Sequence, residues 1–514
     1  MKKSLIKAPL HFSSSSPRAK RIHETRAARL AVLSAAFLMG VHPADAAPAE
    51  TVLTVGGGPD LAHNQVAIES NVAYLSRLLP AGTPNTILFA DGRTDTSTVQ
   101  YSDAGAALSD EEQAFRLAFR QNTDTSVLRY RAPKIKSVAG PARRASIHAQ
   151  FDTLSTSKAA GSLLLYFTGH GSPSRSDPNN NTYDLWGERG LTVQELSAEI
   201  ARLPEGRPVT LVMVQCFSGA FGNLLFEGGK PGANLVKRPI CGFFATTNDR
   251  VAAGCTPEVN EADYKDFTSY FFAALTGRDR LGRAVPPPDY NKDGRVGMDE
   301  AFAYALVAEP SVDVPVATSD LLLRQQITLS DDILAGTSAA RVRALASPSQ
   351  KAAFDGISRA LGDESEDRLK HALDLVRSQM QPTRRTRTGG DISPGMADAA
   401  KALQETRRKL EQQFPGLREN RKTAPFEEAR VRALAFLKSR PETVQSLLAA
   451  GATLDQRQEE RYSRELKGVR SLRLLRVAKS VLLEAQLRAG GNAEKIAQFE
   501  QLKQLEADNP LRTS

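Results

Sequence analysis

Two stretches that run from an apolar segment into a glycine-flanked polar residue decide the fold. They are SLLLYFTGHGS at residues 162–172 and VTLVMVQCFSGAF at residues 209–221. Each begins with an apolar run without polar alternation, which is typical of strands buried on both faces of a parallel sheet. Three further runs of this kind, TVLTV, TILFA and GFFATT, occupy residues 51–55, 86–90 and 242–247. We therefore expect five strands in one sheet.

Helical patterns separate these apolar runs. They cover residues 64–79, 110–119, 193–202 and 264–275, whereas residues 95–144 are more polar and predict an insertion or a long loop. Alternation of strands and helices at this spacing predicts an α/β fold with a mostly parallel sheet and helices on both faces. In such sheets the ligand site lies beyond the carboxyl ends of the strands, so the residues that follow each run are the functional candidates.

The composition changes after three consecutive prolines at residues 286–288. Helical patterns rich in Ala and Leu recur at residues 396–413, 426–449 and 459–488, with almost no strand signal. The sequence thus predicts four regions: a signal segment, a peptidase-like α/β domain, a calcium-type loop with a helical extension, and a basic, partly flexible helical region, at residues 1–46, 47–285, 286–340 and 341–514.

Charge is divided unevenly along the 514 residues, whose net charge is +9. Residues 47–340 carry 26 basic and 33 acidic side chains, whereas residues 341–514 carry 33 basic and 23 acidic ones. Docking of the basic C-terminal region on the acidic domain is therefore expected. Nucleic acid is not an expected partner, because no basic motif interleaved with aromatic residues accompanies the charge. A hydrophobic fraction of 41% excludes wholesale disorder and a polytopic membrane protein.

The first 46 residues have the three parts of a secretory signal. A basic stretch through Arg29 precedes the apolar run Leu30 to Val41, and Ala44-Asp45-Ala46 forms an A-x-A cleavage site. Twelve apolar residues are fewer than the roughly 20 that a membrane-spanning helix needs. We predict an exported protein, periplasmic or secreted, without an integral span after cleavage. A start further downstream, or retention of the segment as an anchor, is the alternative.

A histidine and a cysteine follow two successive predicted strands. His170 comes directly after the run at 162–167, and Cys216 follows the run at 209–214. Loops at the ends of neighbouring strands, about 4.8 Å apart, can bring two side chains to one substrate. A thiol becomes an effective nucleophile beside an imidazole, and backbone N–H groups of Gly171 and Cys216 are candidate donors to an oxyanion. The pattern therefore predicts a Cys/His catalytic dyad.

These segments also resemble the legumain (asparaginyl endopeptidase) family of caspase-fold cysteine peptidases. The shared pattern is an apolar strand that ends in His-Gly-Ser, followed by one that ends in Cys-x-Ser-Gly, and the resemblance covers roughly residues 50–280. It implies a caspase-like sheet, with His170 as general acid/base, Cys216 as nucleophile and Gly171 as a backbone donor to the oxyanion. The implied activity is hydrolysis of peptide bonds through a thioester, without an organic cofactor.

The resemblance also implies residues that contact the substrate. His63 and Asn64 correspond to an arginine–histidine pair of the family, Asp249 lies in the segment that borders its specificity pocket, and Asp266 corresponds to an acidic pocket residue. Because the family's positive partner is missing here, an uncompensated carboxylate at Asp266 would favour a Lys or Arg side chain before the scissile bond.

Three cysteines leave at least one thiol unpaired. Cys241 and Cys255 are 14 residues apart and bracket the fifth predicted strand and its loop. In an exported protein a disulfide between them is plausible, and two unpaired, partly buried thiols are the alternative. Either way, Cys216 remains free.

A twelve-residue segment fits the calcium-loop pattern D-x-[DN]-x-[DN]-G-x₅-E in full. Calcium prefers six to eight hard oxygen ligands. The pattern predicts side-chain ligands, one backbone carbonyl and one bidentate carboxylate, supplied respectively by Asp289, Asn291 and Asp293, by Arg295, and by Glu300. The alternative is an ordinary polar turn ahead of a helix.

The favoured hypothesis is an exported cysteine endopeptidase that acts on proteins or peptides. Two alternatives remain open at this stage. One is a binding or scaffold protein in which the peptidase-like domain has lost turnover, and the other is a transpeptidase that uses the same dyad.

Overall fold

The computed structural model describes residues 51–103, 108–119, 127–157, 161–380, 394–419 and 423–511. The predicted signal segment, residues 1–46, lies outside these ranges.

Six of the strands in the described ranges belong to one sheet. The strands are β1 (Thr51–Gly57), β2 (Asn85–Phe89), β3 (Val99–Asp103), β4 (Val127–Arg131), β5 (Leu163–Gly169), β6 (Gly171–Ser172), β7 (Thr182–Tyr183), β8 (Leu191–Thr192), β9 (Val209–Met213), β10 (Ile240–Phe244) and β11 (Val316–Ala317). The six-stranded sheet has the order β11-β10-β9-β5-β1-β2, and only β11 pairs in the antiparallel direction.

The five predicted strands are β1, β2, β5, β9 and β10 of this sheet. Burial on both faces explains why their sequences lack alternation: every residue of β5 and of β10 is buried. The predicted α/β class with a mostly parallel sheet is therefore confirmed. The strand order was not readable from the sequence, because it depends on which crossovers pass over which face.

Helices cover both faces of the sheet and make up the C-terminal region. They are α1 (Val66–Leu78), α2 (Asp110–Ala118), α3 (Arg144–Thr156), α4 (Val193–Ala201), α5 (Phe267–Thr276), α6 (Met298–Ala308), α7 (Thr318–Gln326), α8 (Asp331–Ala335), α9 (Ala339–Leu345), α10 (Pro348–Leu361), α11 (Arg368–Met380), α12 (Pro394–Gln413), α13 (Ala424–Lys438), α14 (Pro441–Ala489) and α15 (Ala493–Glu506). The four helices predicted between the strands correspond to α1, α2, α4 and α5.

Two segments differ from their sequence predictions. The region 95–144, expected as a loop or insertion, contains the antiparallel pair β3–β4 as well as α2. The helix predicted at 426–449 is interrupted at residues 439–440, where α13 ends and α14 begins. Pro441 explains the break, because proline lacks the N–H of a continuing helix and is well placed in a first turn.

The C-terminal helices share one hydrophobic core with the sheet. Leu474, Val481 and Leu483 of α14 are buried in the same cluster as Phe167 of β5 and Phe243 of β10. A separate cluster joins the first turns of α14 to α2, α12 and α13. The 49-residue α14 thus connects both parts of the core.

Ion pairs accompany this packing. Arg476 and Lys479 of α14 pair with Asp320 and Asp331, which belong to the acidic part of the chain. The expected docking of the basic region corresponds to these contacts together with apolar burial.

None of the helices in the described ranges combines the length and the apolar character needed to cross a bilayer.

Candidate active site

His170 and Cys216 follow the carboxyl ends of two adjacent strands. β5 and β9 pair in parallel from Leu163–Val209 to Phe167–Met213. His170 comes directly after β5, and Cys216 lies three residues beyond β9, with Val214 N–H still bonded to Phe167 O at 3.0 Å. Parallel pairing therefore places both residues at one edge of the sheet, as the sequence predicted.

The chain turns sharply after Cys216. Phe217 has a φ of 60°, in the left-handed region that residues other than glycine rarely adopt. Its N–H donates to Arg250 O at 2.8 Å, and a 3₁₀ helix, Ser218–Leu225, follows at once. The turn detaches Cys216 from both the strand and the helix.

Gly171 joins the histidine loop to the cysteine loop. A Cβ at this position would overlap the carbonyl oxygen of Cys216 and lie 3.0 Å from Thr182 O, so only glycine fits. Asp184 N–H donates to His170 O, which makes His170–Asp184 a hydrogen-bonded pair of the β6–β7 ladder. Since such pairs alternate along an antiparallel ladder, the Gly171 N–H faces away from β7 and is free for another acceptor.

The His170 ring is held by a glutamine that the sequence reasoning did not single out. Its Nε2 lies 3.0 Å from Gln65 Oε1, and Gln65 Nε2 donates to Ala62 O at 3.3 Å. Because that amide oxygen only accepts, the proton of the neutral ring belongs on Nε2, which leaves Nδ1 as the base. Burial, and next to it the neighbouring His63, lower the pKa of His170, which favours this neutral form.

Cys216 is held by the loop that follows β10. Its Sγ accepts from Ala252 N–H at 3.3 Å and lies 3.8 Å from Ala252 O. Burial raises the pKa of the thiol. No hydrogen bond joins Cys216 to His170, so both groups are neutral near pH 7 and the dyad closes only when a ligand draws the two together.

The predicted pocket residues His63, Asn64 and Asp249 occupy three different environments. The exposed His63 ring lies edge-on to His170, with 5.6 Å between centroids, and bonds to Asp60 at 2.7 Å. Asn64 is fully buried and bonds to Gly58 N and Thr98 O, so it braces the loop after β1. Asp249 is exposed and accepts from the Thr247 hydroxyl at 2.5 Å. Only His63 contacts a dyad residue.

Asp266 is not an uncompensated pocket carboxylate. It caps α5 by accepting from Ser269 N–H and pairs with the buried Arg280 at 3.4 Å. Asp266 is 2% exposed, and Gly254 of the loop after β10 packs against its Cβ. The structure therefore removes the basis for the expected Lys or Arg preference. Arg280 lies 14 residues downstream, and no sequence pattern marked it as the partner.

The predicted disulfide between Cys241 and Cys255 is wrong in this structure, where all three cysteines are free thiols. Cys241 is the second residue of β10 and lies beside Thr210 of β9. Cys255 lies at the carboxyl edge of the sheet, with Sγ 3.5 Å from Gly169 O. A strand rises about 3.3 Å per residue, so the length of β10 separates the two thiols.

The calcium-type loop closes on its own backbone. Asp289 accepts from Asp293 N and Gly294 N, Asn291 Nδ2 donates to Asp293, and the Arg295 N–H also donates to Asp293.

Glu300 holds the end of this loop. Its carboxylate accepts from Tyr290 N, Asn291 N and Gly297 N, and burial raises its pKa. In the described part of the chain no three His, Cys, Asp or Glu side chains are grouped to hold a metal ion. This arrangement does not fit a calcium-loaded loop. Calcium therefore stays a sequence prediction, which calorimetry on the purified protein tests.

Comparisons with known proteins give little beyond the fold. No family model matches the chain, and no curated protein matches it. Among solved structures, the chain is similar to the protein GSU0716 from Geobacter sulfurreducens, with 13% identity and a TM-score of 0.30 over 52% of this chain and 92% of that one. This similarity is too low to carry an argument about function.

Proposed function

We propose that this protein is a cysteine-type endopeptidase with Cys216 as nucleophile and His170 as general acid/base. The observation that carries the proposal is the contact between the two loops at the carboxyl edge of β5 and β9. There Gly171 packs on the Cys216 carbonyl, with the imidazole and the thiol beside it. The resemblance of the two strand-end motifs to legumain-like peptidases supports the same assignment.

The chemistry proceeds in two halves. His170 Nδ1 takes the thiol proton as Cys216 Sγ attacks the peptide carbonyl carbon, and the N–H groups of Gly171 and Cys216 donate to the developing oxyanion. His170 then gives the proton to the leaving amine as the C–N bond breaks, which leaves a thioester. A water molecule, deprotonated by His170, hydrolyses the thioester and restores the thiol. An amine in place of this water gives transpeptidation by the same residues.

Gln65 positions the base in this scheme. Its amide oxygen holds the Nε2 proton and directs Nδ1 away from itself, towards the thiol side of the ring. When imidazolium forms during the reaction, the same oxygen accepts a charge-assisted hydrogen bond.

Alkylation kinetics with iodoacetamide test the proposal. We expect Cys216 to react faster than Cys255 and Cys241, with a pH profile that reports His170, and a Cys216→Ala variant to lose both labelling and cleavage of a peptide library. His170→Ala should lower cleavage at least 10²-fold. His148→Ala is the matched control, because His148 is exposed on α3 and bonds to Glu199.

Two outcomes contradict the peptidase. If Cys216 is no more reactive than a surface thiol, the dyad is not functional. If Cys216 reacts quickly but no peptide is cleaved or ligated, the alternative from the sequence, a binding protein built on a peptidase-like domain, is favoured instead.

A further inference from the structure

A large groove opens beside the candidate active site. One wall is the loop after β10 at residues 247–250, and the other is formed by α11 and the middle of α14. The groove has a volume of about 810 Å³, in the range of sites that hold part of a bound chain. It is formed only because α14 packs across the carboxyl edge of the sheet.

The lining of this groove is rich in arginine. Arg250, Arg461, Arg464 and Arg476 contribute to it, against two carboxylates, those of Asp249 and Glu465. Arg476 pairs with Asp320. For the other three arginines the described residues supply no carboxylate partner, and the buried Nε of Arg250 has no acceptor. Arginines that are placed together without partners leave donors for anionic groups that come from outside.

The groove begins at the nucleophile. Arg250 O accepts from the Phe217 N–H, next to Cys216, and two residues further on the Ala252 N–H contacts Cys216 Sγ. A polypeptide whose carbonyl lies at Cys216 therefore has a direct path over residues 247–250 into the arginine-lined groove.

We infer that this groove binds acidic side chains of a polypeptide, with Arg250, Arg461 and Arg464 as their partners. The inference extends the proposed function, because it names the class of substrate that the same site takes. Arg250 is the central contact, since its Nε is already buried and an acidic side chain would satisfy it.

Binding is tested without turnover, in the full-length Cys216→Ala protein. The probe is a fluorescein-labelled ten-residue peptide of alternating Glu and Ala, compared with its Gln/Ala counterpart by anisotropy. We expect the acidic peptide to bind at least tenfold more tightly at low ionic strength. This preference should shrink as salt shortens the screening length.

Charge-removing variants locate the contact. Arg250→Gln, Arg461→Gln and Arg464→Gln should each weaken binding about two- to fivefold, and the triple variant should abolish the preference for acid. Arg250→Lys should recover only part of the loss, because an ammonium lacks the bidentate fork. Arg432→Gln on α13, an exposed position outside the groove, is the matched control.

The outcomes separate this inference from the peptidase. Equal binding of both peptides, an unchanged triple variant, or tighter binding of an oligonucleotide of equal charge overturns the groove. Wild-type protein that cleaves both peptides equally well overturns the groove and leaves the peptidase standing. An acidic peptide that binds through the three arginines but is never cleaved overturns the peptidase and leaves the groove standing.

Discussion

Two buried arginines support the loop that contacts Cys216, and they solve the same problem differently. Arg280 belongs to the sheet part of the chain and lies next to Gly254 through Asp266. Arg473 belongs to α14 and reaches Ala253 through Asp313, whose Oδ1 accepts the Ala253 N–H at 2.6 Å. Neighbouring residues of one loop thus depend on two clusters.

The Arg280 cluster is balanced by charge and by aromatic faces. Arg280 pairs with Asp266 and donates to Ser269 Oγ at 2.6 Å. Its guanidinium lies 4.8 Å from the Tyr74 ring centroid and 5.1 Å from that of Tyr264. One cation and one carboxylate with polarisable neighbours leave little uncompensated charge.

The Arg473 cluster is balanced by backbone carbonyls and a proton. Arg473 donates to four carbonyl oxygens, those of Leu306, Glu309, Ser311 and Asp313, and is fully buried. It faces two buried carboxyls, and burial together with Glu309 beside it raises the pKa of Asp313 well above its usual range. A single cation cannot neutralise both, so Asp313 keeps its proton. The comparison teaches that α14 is held by hydrogen bonds more than by net charge.

The largest expected effect comes from breaking the Arg473 cluster. Arg473→Met leaves Glu309 charged without a partner and four carbonyls without a donor, so the free energy of unfolding should fall by about 3–5 kcal/mol. Urea unfolding followed by circular dichroism measures it. Arg464→Gln, exposed on the same helix, should change stability by less than about 0.5 kcal/mol. Equal effects of the two variants would contradict the comparison.

Removing Arg280 should cost less. Arg280→Met strands one carboxylate, which also caps α5 and keeps its bonds to Ser269, so we expect a loss near 3 kcal/mol, at the low end for a broken buried pair. The control is Arg283→Gln, whose ion pair with Asp279 is exposed and worth about 1 kcal/mol at most. A loss larger than that of Arg473→Met in the same urea titration would reverse the ranking.

The proton on Asp313 gives a pH signature that the other cluster lacks a reason to share. A carboxyl whose folded-state pKa is raised stabilises the fold below its unfolded pKa of about 3.9, and this contribution is lost as the pH rises towards the folded-state pKa. Asp313→Asn keeps the neutral form at every pH. Between pH 4 and pH 8 the stability of the variant should therefore rise relative to wild type in urea unfolding. Parallel curves would mean that Asp313 is ionised in the folded protein.

The smallest effect concerns a buried amide that neither arginine reaches. Gln215, next to Cys216, is 1% exposed, and neither its Oε1 nor its Nε2 has a partner. Gln215→Met should raise the free energy of unfolding by about 1 kcal/mol, because it removes an unsatisfied buried group. Gln350→Met is the matched control with the opposite sign, since Gln350 caps α10 and bonds to Glu484. A loss of stability in Gln215→Met would show that this amide is satisfied in solution.

Local pattern was sufficient for the backbone of the candidate site and insufficient for its surroundings. His170 and Cys216 were found because each follows an apolar run at a strand end. Gln65 and Arg280 were missed because their partners lie 105 and 14 residues away and no periodicity connects them. The pairing of Cys241 with Cys255 failed because closeness in sequence says nothing about opposite ends of a strand.

The sequence alone determined which segments become strands of the sheet and which two residues follow them, because burial on both faces demands unbroken apolar runs and tight turns demand glycine. The tertiary structure alone decided that Asp266 is neutralised by Arg280, and that α14 enters the core to place Arg473 under the Cys216 loop. It also decided that arginines on α14 face that loop across a groove. These features depend on contacts between segments up to 160 residues apart, such as Arg473 with Asp313, and such contacts leave no local trace in the chain.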